Sequence, residues 1–87
     1  YVYFIGSLEH GFCKIGTSVD PYKRIKAIQT GCPFKVEILL LLEGSYEREK
    51  KAHKYFYKHK SYGEWFKIEG KVKTFLDSKE LIGSKCV

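Results

Sequence analysis

The chain has 87 residues, room for one compact core, and a domain of this size buries only about 60–65% of the surface its unfolded chain exposes. Its 44% apolar and 16% aromatic content excludes a disordered tract, and its longest apolar run, Ile38 to Leu42, is far short of the roughly 20 residues that span a bilayer. Sixteen Lys and Arg against ten Asp and Glu give a net charge of +6, which attracts polyanions by releasing their counterions and makes nucleic acid the leading partner class.

Three cysteines, Cys13, Cys32 and Cys86, form no CxxC pair and read as free thiols in a reducing, intracellular compartment such as cytoplasm, nucleoid or nucleus. No basic, apolar, small-residue signal pattern opens the chain. Because the sequence starts at Tyr1 and contains no Met, residues 1–87 are expected to be a single domain cut from a longer protein.

Tyr1 to Gly6 is β-branched and aromatic, SLEHG supplies turn chemistry, and Phe12 to Thr17 resumes a strand pattern, which together predict a β-hairpin. A loop centred on Leu8 and Glu9 would set Tyr3 directly across from Lys14 on one face. Asp20 followed by Pro21 is a strong helix start, since Asp accepts from a free first-turn amide and Pro sits where no amide is needed. That helix is expected to run to about Thr30, where Gly31 and Pro33 stop it. Arg24 falls beside its apolar stripe of Pro21, Ile25 and Ile28, whereas Lys23 and Lys26 fall off it.

Val36 to Leu42 is a nearly continuous apolar run, short enough for a central strand. Residues 46 to 60 are expected to form a second helix. Stepping about 100° per residue from Glu49 puts His53 and Phe56 within about 40° of it and Ala52 within about 60°. Glu47, Lys51, Lys54 and Lys58 cluster on the far side, so Glu49 points at the core face while its charged neighbours point at solvent. After Gly63, Glu64 to Ile68 reads as a short strand, with Trp65 and Phe66 closing the core beneath the second helix. Lys71 to Glu80 is a third amphipathic helix, and the tail from Gly83 is expected to be loose. The fold class is α+β: one small domain with a three-stranded, mainly antiparallel sheet flanked by helices, in the order ββαβα, then a short strand and a helix.

A carboxylate on the buried face of a helix is costly unless it is paired, hydrogen-bonded or bound to a metal. Glu49 has a plain alternative, pairing with Arg48 or Lys50 or reaching solvent at the helix end, and Arg24, Tyr3 and Lys14 each have one too: stem packing, core packing and an exposed edge charge. Their combination is more telling, because a Tyr, a Lys, an Arg and a Glu fall on the three elements that such a layout brings together.

Tyr1-Val2-Tyr3, then Lys14-Ile15-Gly16, then Asp20-Pro21 leading to Arg24, resembles the GIY-YIG nuclease pattern. Glu49-Lys50-Lys51-Ala52-His53 and Gly63-Glu64-Trp65-Phe66 resemble the branch found in phage DNA-binding domains and in a meiotically up-regulated fungal gene product. The resemblance spans about residues 1 to 68 and implies a GIY-YIG-like fold and metal-dependent hydrolysis of phosphodiester bonds in DNA. It implies that Tyr3 is the general base and that Arg24 clamps the phosphate. Glu49 then holds one Mg²⁺ or Mn²⁺. Lys14 stands where the second-motif tyrosine would be, and its ammonium would favour the phenolate of Tyr3. His53, one turn after Glu49, would assist the metal or the phosphate, or pack against the helix. Lys23, Lys26, Lys54 and Lys58 are the candidate DNA contacts. Many family nucleases use a late asparagine, and this chain contains no Asn. A catalytically inactive DNA-binding module of the same fold is the alternative reading, and a protein-interaction domain is a third.

Overall fold

A computed structural model describes residues 1–78. The elements are β1 (Val2–Ser7), β2 (Phe12–Thr17), α1 (Pro21–Thr30), β3 (Glu37–Leu42), α2 (Tyr46–Tyr55), a 3₁₀ turn (Tyr57–His59), β4 (Lys60–Tyr62), β5 (Trp65–Lys67) and α3 (Gly70–Ser78). The tail from Gly83, the Cys86 thiol and the last two residues of the expected third helix lie outside the described residues.

The class is α+β as expected, but the sheet has five strands rather than three. Its order is β3-β1-β2-β5-β4, with every neighbouring pair antiparallel. One added strand, β5, is the short strand expected over Glu64 to Ile68, here joined to the sheet through β2; the other, β4, is only three residues long and exposed throughout, too short for a period-two pattern to register. The second helix therefore ends at Tyr55 rather than near residue 60, because pairing of Lys60 and Tyr62 with β5 draws the chain out of the helical path.

The run expected to be a central strand, β3, lies at the edge and among the described residues pairs only with β1. Its apolar continuity has another cause. Leu39, Leu40 and Leu42 pack on one face of the sheet and Ile38 and Leu41 on the other, so the run reports two covered faces rather than two strand neighbours. On the first face Val2, Phe4, Cys13, Ile15 and Leu40 meet Phe56, Phe66, Val72 and Leu76, beneath α2 and α3. On the second, Tyr3 and Ile5 meet Ile28 and Val36, beneath α1. Phe66 closes the first core as expected. Trp65 does not, because adjacent strand residues face opposite sides, and it packs edge-on to Phe34 on the α1 face.

The hairpin register also differs from the expected one. Tyr3 lies across from Gly16, and Lys14 lies across from Ile5. The loop is centred one residue later than Leu8–Glu9, where the Ser7 hydroxyl accepts the His10 amide at 3.1 Å and meets the His10 ring at 3.0 Å. A shift of two positions keeps every side chain on its face, so Tyr3 and Lys14 remain diagonal neighbours on the α1 side.

The absence of a side chain at Gly16 is what lets the Tyr3 ring lie across the strand: a Cβ there would sit 2.4 Å from the Tyr3 Oη and 2.6 Å from its Cζ. Gly16→Ala should therefore cost about 1–3 kcal/mol in a urea melt, the usual range for overpacking a core. An unchanged melt would mean that the ring lies elsewhere.

Cys13 and Cys32 are both free, as the sequence suggests. Burial pushes the Cys13 thiol up to about 12, whereas Cys32 is only partly covered. Iodoacetamide at pH 8 is expected to alkylate Cys32 in the native protein and Cys13 only after unfolding, as read by mass spectrometry. Equal labelling of both in the native state would contradict the packing of β2.

Candidate active site

The first half of the site is built on the α1 face. Asp20 starts α1 by accepting the Lys23 amide on Oδ1 at 3.1 Å, and Pro21 fills the first position, so Arg24 falls one turn in and faces β1. Its Nε donates to the Tyr3 Oη at 3.3 Å. That bond, then the Tyr3 charge and further off the carboxylate of Glu64, hold the Arg24 guanidinium above its ordinary pKa, against a small opposing effect of burial. Tyr3 is 1% exposed and its ring belongs to the core, while Arg24 is exposed on the solvent side of the pair. Arg24 thus covers the one polar atom of an otherwise apolar ring.

Lys14 does not sit against Tyr3 as expected. Its ammonium is 3.8 Å from Glu64 Oε1, and its opposite neighbour is Ile5. The change of register moves Lys14 along the strand and leaves the Tyr3 oxygen to Arg24.

The second half comes from α2. Ser45 caps that helix by accepting the Glu47 amide at 3.3 Å, and Glu49 is the one buried residue within it, 7% exposed. Burial pushes the Glu49 carboxyl above the usual carboxylate range and the negative charge of Glu64 pushes the same way; His53 and the Thr17 backbone amide act against them. The plain alternative for Glu49 is not realised. Arg48 donates to the Glu43 carbonyl instead, and the Lys50 ammonium lies over the Tyr46 ring, 5.8 Å from its centroid. Among the described residues no ion pair neutralises Glu49 with a Lys or Arg.

His53 lies one turn further along the same face. Its Nε2 is 2.8 Å from the Ile15 carbonyl oxygen, which can only accept, so Nε2 carries the hydrogen. The ring stands edge-on to Phe66 at 4.9 Å. In the neutral ring Nδ1 then keeps its lone pair.

Between the halves stands Glu64, which belongs to the Gly63-Glu64-Trp65-Phe66 resemblance and the expected short strand but has no expected role in the site. Gly63 adopts a left-handed conformation, φ 58°, in the tight turn from β4 to β5. The Glu64 carbonyl then accepts the Ile15 amide at 3.1 Å, stitching the turn to β2. One ligand atom each from Glu49, His53 and Glu64 lies within 4.8 Å of the others. The sequence signal that could have found Glu64 is its place directly after a glycine turn and directly before an apolar pair, where a half-buried carboxylate is unexpected.

Tyr3 and Arg24 thus lie on one side of β2, Glu49 and His53 on the other, and the charge of Glu64 reaches both Arg24 and Glu49. Lys23, Lys26, Lys54 and Lys58 are all exposed, but they belong to elements on opposite faces of the sheet. A family model, that of the T5orf172 domain, matches residues 1–82. The chain belongs to the T5orf172 domain family. This family is related to nuclease-type domains, and the match covers Tyr3, Lys14, Arg24, Glu49, His53 and Glu64 alike. No curated protein and no solved structure matches the chain significantly. Among the described residues of this T5orf172 domain no helix is long and apolar enough to cross a membrane.

Proposed function

We propose that the chain is a single metal-dependent DNA endonuclease domain of the GIY-YIG type, acting in an intracellular compartment. The observation that carries this reading is Glu49: a covered carboxylate with no Lys or Arg to neutralise it among the described residues, in a domain whose family is related to nucleases. Such a group is expensive to keep unless it serves a charge brought from outside.

Tyr3 is the general base. Its oxygen already accepts from Arg24, which holds the hydroxyl beside the guanidinium that would grip the phosphate. Arg24 is exposed and still has its terminal guanidinium nitrogens for two phosphate oxygens. Glu49 holds Mg²⁺ or Mn²⁺, which when bound supplies Lewis-acid stabilisation of charge on the phosphate and leaving oxygen. His53 supports that site, and Lys14 with Glu64 sets the charge between its two halves. Lys23, Lys26, Lys54 and Lys58 provide non-specific attraction to the DNA backbone.

The direct test is incubation of the purified chain with supercoiled plasmid. Nicked circles are expected with Mn²⁺ or Mg²⁺ and none with EDTA. Arg24→Lys should slow nicking by about 10²-fold, because an ammonium cannot reproduce the two-pronged guanidinium geometry. A second reading, DNA binding without turnover, is favoured by the pairing of Lys14 with Glu64 rather than Tyr3. It expects salt-sensitive plasmid binding and no nicking with any divalent ion.

A further inference from the structure

One carboxylate, Glu49 alone, makes a weak metal site, and it does not stand alone. Glu49 and Glu64, which belong to different elements, bring a carboxylate oxygen each to within 4.8 Å of the other. Two carboxylates held together raise each other's energy unless a cation lies between them. His53 faces the same place with one nitrogen already committed: Nε2 donates to the Ile15 carbonyl, the arrangement that in metal sites fixes a histidine's tautomer and aims its other nitrogen. The ring is further held by Phe66, so its orientation is set before any ligand arrives.

We infer that Glu49, Glu64 and the His53 nitrogen left free by Ile15 together form a three-ligand site for a divalent transition ion of the Mn²⁺ class. The inference rests on the metal-dependent reading and goes beyond it in ligand number and in the choice of metal. Donors on a common ion at about 2.1 Å lie about 3–4 Å apart. Here one ligand atom from each of the three residues lies within 4.8 Å of the other two, so side-chain movements of about 1 Å close the site. Glu64 can make that movement cheaply. Its side chain is 44% exposed, and its contact with Lys14, at 3.8 Å, is a long ion pair open to solvent. An imidazole nitrogen in the set disfavours Mg²⁺, which prefers oxygen donors alone, and suits first-row transition ions.

The test is Mn²⁺ binding by the chain without DNA, followed by loss of the free-ion electron paramagnetic resonance signal. Spin-echo spectroscopy of the bound ion supplies a second readout. Wild type is expected to bind Mn²⁺ at least tenfold more tightly than Mg²⁺ and to show coupling to a directly bound nitrogen. Glu64→Gln and His53→Gln should each weaken Mn²⁺ binding tenfold or more, and His53→Gln should remove the nitrogen coupling.

Binding that is lost only in Glu49→Gln and intact in the other two variants would overturn the three-ligand site while sparing the single-carboxylate reading. No nitrogen coupling in wild type would also overturn it, and this needs no variant to fold. No Mn²⁺ binding at all would sink both.

Discussion

Tyr3→Phe is expected to slow plasmid nicking by roughly 10²–10⁴-fold, the usual contribution of a positioned general base. The ring should stay where it is, because it is packed in the α1-side core with Ile5, Ile28 and Val36 and lies across the bare backbone of Gly16. Only the oxygen is removed, and with it a 3.3 Å bond from an exposed arginine, so the expected stability cost is about 0.5–1 kcal/mol. A urea melt close to wild type together with near-complete loss of nicking is the predicted pair of results. Nicking at the wild-type rate would show that another group takes the proton. Gly16→Ala gives a complementary case, since it keeps the hydroxyl but displaces the ring that carries it.

The parts of the fold that local chemistry determines were legible in the sequence. Asp20 and Pro21 start α1 and Gly31 caps its end where the residue types place them, and the helical phase of Glu49 correctly separates it from Glu47, Lys51 and Lys54. The parts that depend on pairing between distant segments were not. Lys60 to Tyr62 carries no strand pattern of its own and becomes β4 only because β5 is there to bond with it. The hairpin register was displaced by two residues because the Ser7 and His10 contacts select a later loop, which no alternation pattern records. That displacement keeps Tyr3 on the correct face and yet changes the partner of Lys14 from Tyr3 to Glu64.

The candidate site divides in the same way. Residue type, position and resemblance single out Tyr3, Arg24 and Glu49, and the structure brings Tyr3 and Arg24 into a hydrogen bond and buries Glu49 with no Lys or Arg partner among the described residues. The sequence leaves two roles open for His53, and the structure packs its ring edge-on to Phe66 and holds one nitrogen at the Ile15 carbonyl. The place of Glu64 in the site is not legible in the sequence because a turn makes it. Only when Gly63 folds β4 back onto β5 does a carboxylate appear between Lys14, Arg24 and Glu49.

Glu49→Gln separates function from folding most cleanly. The amide has the shape of the carboxylate and its oxygen can still accept the Thr17 amide, but it brings no charge into a covered site that Glu64 already makes negative. In metal-free buffer the variant is expected to melt at or slightly above the wild-type temperature, as replacement of a functional buried charge commonly does. Its plasmid nicking should fall by roughly 10³-fold, equivalent to the several kcal/mol that a bound cation contributes to phosphoryl chemistry.

The most direct measurement is therefore nicking of supercoiled plasmid in Mn²⁺ by wild type and Glu49→Gln side by side, with DNA binding recorded on the same samples. The expected result is metal-dependent nicking by wild type, roughly 10³-fold less by the variant, and DNA binding retained by both. Nicking by Glu49→Gln within twofold of wild type would contradict the assignment of Glu49 as the metal-holding residue of this site.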